Sequence, residues 1–296
     1  MSPAGVAALR ALAETDPVVA PLARLQAEAL QGDPDRWDSA IPSLAATELS
    51  KGTPLLHGVT LDVDRQLVVD LLDRLATTGV RHAPGAEHAL REAAEALRGA
   101  PLEAIQASLQ QDGPHLDEQA RAAAIEPSLH ATLAHLATLP LLQAAGRRAA
   151  PVLATIPWAA GFCPTCAAWP TLVELRGLER QRWLRCGRCG AGWFAHRHIC
   201  VYCGNADHRT LGYLAAEVDR DARRAETCTR CRGYLKAVAT LGALDPSEVL
   251  VRDAATLEFD VAALDQGFER PGTPGYPLQV HVRPTNTRLG WSLWKR

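Results

Sequence analysis

Eight cysteines occur in this chain, all between Cys163 and Cys231, and every one belongs to a C-x-x-C pair. The pairs are Cys163/Cys166, Cys186/Cys189, Cys200/Cys203 and Cys228/Cys231, separated by 19, 10 and 24 residues. Two residues between cysteines let both sulfurs face one ion. A tetrahedral ion needs four such ligands, so each site takes two pairs. The two longer gaps have room for the hairpin of a zinc ribbon or rubredoxin-like unit, which leaves the shortest gap as the linker. Cys163, Cys166, Cys186 and Cys189 are therefore expected at one metal, and Cys200, Cys203, Cys228 and Cys231 at the other. Sequence order alone leaves a crossed pairing open.

This pattern excludes several classes. A secreted disulfide scaffold is short and rich in cysteine throughout, whereas the first 162 residues here contain none. A thioredoxin-like redox pair calls for a βαβ context that the sequence does not offer. The cysteines are more widely spread than those that hold an iron–sulfur cluster. An S₄ tetrahedron suits zinc or rubredoxin-type iron alike, so two metal ions, iron or zinc, are the expected cofactors. His196, His198 and His208 are read as neighbours of the sites, because eight cysteines already complete two ligand sets.

Before the cysteines the pattern is helical. Ser2-Pro3 reads as an N-cap followed by proline at the first helical position, and Asp16-Pro17 as a stop and restart. Apolar stripes recur at Val18, Leu22, Leu25 and Ala29, at Leu67, Leu71, Leu72 and Leu75, and at Leu90, Ala93, Ala94 and Leu97. Gly99, Gly113 and Gly146 read as breaks between helices. The stretch from Pro127 to Gly146 carries no formal charge. Its leucines at 129, 133, 136 and 139 form one stripe of an amphipathic helix, so no membrane insertion is expected. The first residues lack a basic, apolar leader, and reduced thiols suit a cytoplasmic location.

The expected fold class is multidomain α+β, with a helical N-terminal domain followed by two rubredoxin-like (zinc-ribbon-like) Cys₄ metal modules. The expected divisions are a helical domain over 1–158, a first module over 159–195 and a second over 196–240. A C-terminal helical segment then covers 241–270. The tail over 271–296, with four prolines and no acidic residue, reads as basic, extended and partly disordered.

Net charge is −2, which argues against a surface built for nucleic acid. The cysteine-bearing stretch 161–236 is basic, with 13 Lys and Arg against 7 Asp and Glu. Each Cys₄ site with a divalent ion carries −2, so Arg185, Arg188, Arg230 and Arg232 are expected to offset the thiolates. A nucleic-acid-binding zinc ribbon is the alternative suggested by the interleaved Arg182, Trp183, Arg185, Arg188, Trp193, Phe194 and Arg197. A rubredoxin-like one-electron carrier is another, and requires iron. No Walker A loop, dinucleotide fingerprint or nucleophile elbow occurs in the sequence, so no catalytic residue and no small-molecule substrate are assigned. A saturated Cys₄ site is also a poor Lewis acid, and the chain is read as a non-enzyme.

The residues Gly161-Phe162-Cys163-Pro164-Thr165-Cys166, Leu184-Arg185-Cys186 to Cys189-Gly190, Trp193, Arg197 and Cys200 to Cys203-Gly204-Asn205 resemble the FdhE-type formate dehydrogenase accessory proteins. So do Glu226-Thr227-Cys228 to Cys231, Tyr234-Leu235-Lys236, the run from Asp253 to Asp260, and Gly267-Phe268. The resemblance extends over about residues 8–270 and is densest from 161. It implies a cytoplasmic assembly factor for respiratory formate dehydrogenase, with the catalytic subunit of that enzyme as partner and iron at the metal sites.

Overall fold

The computed structural model describes residues 3–216 and 222–285. Its first half is helical, with α1 (Pro3–Thr15), α2 (Ala20–Leu30), α3 (Asp35–Asp38) and α4 (Ala46–Ser50) before a short strand, β1 (Val59–Val63). Five more helices follow: α5 (Arg65–His82), α6 (Glu87–Gly99), α7 (Pro101–Gln110), α8 (Gly113–Ala122) and α9 (Pro127–Leu153). Local chemistry accounts for three of their starts. Asp64, Asp112 and Glu126 each accept a backbone N–H from the first turn of α5, α8 and α9 respectively, which satisfies one of the donors a helix start leaves over. Ser2, the expected cap of α1, lies outside the described residues.

The leucine stripes of α5 and α6 are buried throughout. The stripe through Val18 is not. Val18 lies in the turn before α2 and is 74% exposed, and Leu22 is also exposed, while Leu25 and Ala29 face the core. In α9 every residue from Leu136 to Gly146 is buried, so the helix is threaded through the core with no solvent face along that stretch. Gly146 is inside α9 and breaks nothing.

The second half forms one six-stranded sheet in the order β4-β3-β2-β7-β6-β5, built from β2 (Leu172–Arg176), β3 (Gln181–Arg185), β4 (Gly192–Phe194), β5 (Leu211–Leu214), β6 (Arg223–Cys228) and β7 (Gly233–Thr240). Each three-strand group is antiparallel within itself, and the seam between groups, β2 against β7, is parallel. Both groups follow the same order: knuckle, strand, strand, knuckle, strand. Two such units placed side by side in the same direction bring the first strand of one against the last strand of the other in parallel. The seam thus follows from tandem repetition.

After the sheet, α10 (Pro246–Ala254) starts with a capping box made by Asp245 and Glu248. It is separated from α11 (Leu257–Asp265) at Thr256, whose hydroxyl bonds back to the carbonyls of Arg252 and Asp253. The chain then returns to the helical half. The stretch read as a partly disordered tail forms β8 (Val280–Pro284), which pairs in parallel with β1. Gln110 and Gln106 on α7 bond its backbone at Val280 and Val282, and Arg283 is paired with Asp62. Leu278 and Val280 are buried, and with Val282 they form a period-two pattern that could have signalled the strand. Residues 286–296 of the tail lie outside the described residues.

Candidate metal centres

Each knuckle repeats one backbone device. The N–H of the leading cysteine donates to the carbonyl five residues on, and the N–H four residues on donates back. This holds at Cys163 with Ala168 and Ala167, at Cys186 with Ala191 and Gly190, and at Cys200 with Asn205 and Gly204. The fourth knuckle has the matching strand pair, Cys228 opposite Gly233. Closing the loop this tightly puts the residue four after each leading cysteine in the left-handed region: Ala167 (φ 63°), Gly190 (75°), Gly204 (68°) and Arg232 (59°).

The sulfurs gather in two groups, Cys163/Cys166/Cys186/Cys189 and Cys200/Cys203/Cys228/Cys231, with all atoms of a group within 4.8 Å of one another. Sequential knuckles are paired, and the two clusters fit two zinc-ribbon-like modules. In the first, Cys163 Sγ lies 3.4 Å from Cys189 Sγ, and Cys166 Sγ 3.6 Å from Cys186 Sγ. In the second, the Cys200–Cys231 and Cys203–Cys228 separations are 3.6 and 3.9 Å. A disulfide would need about 2.05 Å. A tetrahedron with metal–sulfur bonds of about 2.3 Å has edges of about 3.8 Å, so both groups have the size of a metal cage.

The chemistry of the donor set agrees. Burial pushes the Cys163 and Cys189 thiols up, whereas hydrogen bonds from neighbouring thiols pull Cys186 down. Four thiolates cannot share a dry site without a cation. Two metal ions fit these residues, and zinc and iron fit equally. No histidine joins either group among the described residues, and His196, His198 and His208 are all exposed.

The two groups are set very differently. The first is at most 1% exposed at every cysteine and belongs to the main core shared with the helical half. The helical half also claims its knuckle carbonyls. Leu55 and Leu56 donate to Pro164 and Thr165, Gln143 to Arg188, and the Arg188 side chain reaches the carbonyl of Ser108. In the second group Cys203 is exposed and Cys231 half-buried, and Thr229 and Arg230 at the knuckle tip are exposed. Asn205 donates to Cys228 Sγ at 3.7 Å. Cys200 and Cys228 also help to line a cavity of about 380 Å³, whose walls carry, among the described residues, Arg180, Arg182, Arg197 and Arg224 together with the carboxylate of Glu226.

Three of the four arginines expected to offset the thiolates, Arg185, Arg188 and Arg232, bind other groups. Arg185 binds the fully buried Glu174 at 2.7 Å and the carbonyls of Gly190 and Leu244. Burial raises the Glu174 carboxyl, but bonds from Arg176 and Arg185 outweigh it and hold the group below its ordinary value. Arg232 binds the carbonyls of Gln266 and Gly267 and stacks on Phe268. The interleaved basic and aromatic run is turned inward only in part, since Phe194 and Arg197 are exposed. Arg182 is buried against Glu226, Trp193 is buried with its N–H on Ala160, and Arg197 binds the carbonyls of Glu179 and Arg180.

Sequence reasoning missed a buried ionic network beside the second module. Lys236 is 1% exposed and bonds the carboxylates of Asp253 at 2.7 Å and Asp260 at 2.5 Å. Arg270 pairs with the same two carboxylates, and the Tyr234 hydroxyl donates to Asp260. Burial and that bond push Tyr234 up to about 12. The network pins α10, α11 and the chain at Arg270 to β7.

A second concavity, about 1090 Å³, runs between the helical half and the modules, with Leu136, Leu139, Trp169, Arg188, Tyr202 and Arg270 among its walls. His135 opens onto it, with the positive charge of Arg188 nearby favouring its neutral form. No helix among the described residues is long and apolar enough to cross a membrane.

The FdhE C-terminal domain family matches residues 199–275, which hold the second sulfur group, α10 and α11. The FdhE homolog of Stutzerimonas stutzeri is 37% identical over 112 residues, covering 37% of this chain and 36% of that protein. The FdhE homolog of Aquifex aeolicus is 30% identical over 116 residues, covering 38% and 40%. These matches span about two-fifths of the relatives' length. The crystal structure of the FdhE protein from Pseudomonas aeruginosa is similar over much more, covering 91% of this chain and 92% of that one with a TM-score of 0.55 and 25% identity.

Proposed function

We propose that this chain, an FdhE-type protein, is a cytoplasmic accessory factor that binds the catalytic subunit of formate dehydrogenase during its maturation and holds two metal ions. Cys163, Cys166, Cys186 and Cys189 hold one ion, and Cys200, Cys203, Cys228 and Cys231 the other. The observation that carries the reading is the pair of complete Cys₄ cages in one sheet, within a fold that is similar along nearly its whole length to a solved FdhE protein. Four sulfurs saturate a tetrahedral ion, which therefore cross-links the chain and offers no open position to a substrate. On this reading the protein acts by binding and not by catalysing a reaction. The cleft between the two halves supports it, because an apolar floor with arginines at its edge suits a protein client.

The test is co-purification of anaerobically prepared protein with the formate dehydrogenase catalytic subunit. Stable capture of the subunit by the folded, metal-loaded protein supports the proposal. Repeated failure to capture the subunit with fully metal-loaded protein sinks it.

A further inference from the structure

We infer that the two sulfur sites have different duties: the second exchanges its ion with anionic ligands from solution, and the first keeps its ion for as long as the chain is folded. The inference rests on the metal-binding reading above and adds which site is open.

Ligand exchange at a saturated tetrahedral ion needs an incoming donor to come within bonding distance as one protein sulfur leaves. At the first site the described residues leave no direction of approach. All four cysteines are at most 1% exposed, and both knuckle tips are bonded to the helical half. The backbone of α9 rests on Cys189, where a Cβ at Gly146 would sit 1.8 Å from the carbonyl oxygen. Reaching that ion means parting the two halves of the molecule, which is unfolding of the shared core.

The second site is open on two sides. Cys203 faces solvent, and Cys200 and Cys228 border the cavity lined, among the described residues, by four arginines and the Glu226 carboxylate. The cysteines of this site belong to none of the packed apolar clusters. Were the site loaded, Cys203 would be the ligand to yield, its bond to the ion breaking as an incoming donor bonds in its place. The released Cys203 thiolate would take a proton from water, and no electron would change hands. The positive walls select for anionic ligands, such as thiolates or aminocarboxylates.

The experiment uses the full-length, metal-loaded protein, shown by elemental analysis to carry both ions, and EDTA as the probe. The expected result is loss of one of the two ions from folded protein, with the other retained until denaturant is added. Iodoacetamide added alongside should label Cys200, Cys203, Cys228 and Cys231 and leave the first four cysteines unmodified by peptide mass spectrometry. Cys203→Ser should speed the first release and leave the retained ion in place, whereas general loosening of the fold would release both. Release of the two ions in one phase, or labelling of Cys163 to Cys189 first, overturns the inference and leaves the metal-binding reading standing. Protein that carries no metal after anaerobic preparation overturns both.

Discussion

The backbone of Gly146 lies so close to Cys189 that no side chain fits between the helix and the knuckle. The longest helix and the first sulfur site are therefore one packing unit, and the contact is backbone against backbone, which cannot move aside. Gly146→Ala should destabilise the metal-loaded protein by about 3 kcal/mol or more, the upper range for overpacking a core. Urea unfolding measures the loss, and metal analysis should show the first site failing before the second. A midpoint within error of the parent would mean that the helix can slide off the knuckle at no cost.

Removing one cage should not resemble removing the other. The first shares its core with the helical half, and a structural ion of this type contributes on the order of 10 kcal/mol to folding. Cys163→Ala with Cys166→Ala should thus abolish the cooperative unfolding transition of the whole chain. Cys228→Ala with Cys231→Ala should leave the helical half folded, and limited proteolysis should yield a protected N-terminal fragment. Loss of that fragment in the second variant would show that the two halves fold as one.

These asymmetries were only partly legible in the residues. The knuckles were, because C-x-x-C spacing is a local device whose geometry the chain itself sets. The stripes of α5 and α6 were as well, since Leu67, Leu71, Leu90 and Leu97 each report an apolar face. What covers a face is non-local. Gly146 reads as a break until Cys189, far along the chain, is seen against it. Leu129 to Leu139 read as one stripe because periodicity cannot show that neighbours close over the other side of α9. The arginines of β3 read as a basic surface because their partners, Glu174 and Glu226, lie on other strands, 11 and 44 residues away. The strand at Val280 was hidden by the prolines around it, and its partner β1 is more than 200 residues earlier.

Lys236 supplies a test of the network that the sequence concealed. It is enclosed by Asp253 and Asp260, and Arg270 alone would remain to balance both carboxylates if it were lost. Lys236→Met should cost about 3–5 kcal/mol, as breaking a buried ion pair from one side does. Adding Asp260→Asn should recover part of that loss by removing the orphaned charge. Denaturant midpoints of the single and double variants decide the matter. If the double variant is as unstable as the single, packing and not charge accounts for the effect.

Glu174 sets a pH dependence whose sign can be worked out. Its carboxyl accepts from Arg176, Arg185, Thr240 and the Leu244 N–H, and the charged form is held below the ordinary value of 4.5. A depressed carboxylate means that the unfolded chain binds a proton before the folded one does as pH falls. The contribution of Glu174 is thus complete above about pH 4.5 and is lost as pH drops through the lower, folded value. Glu174→Gln should be less stable than the parent by about 3 kcal/mol near neutrality, because Arg185 then stays buried without its counter-charge. The gap should narrow steadily below about pH 4.5. Measuring both proteins at each pH cancels the acid lability of the thiolate sites, which they share. A gap that stays constant down to about pH 3 would show that Glu174 contributes through its shape and hydrogen bonds and not through its charge.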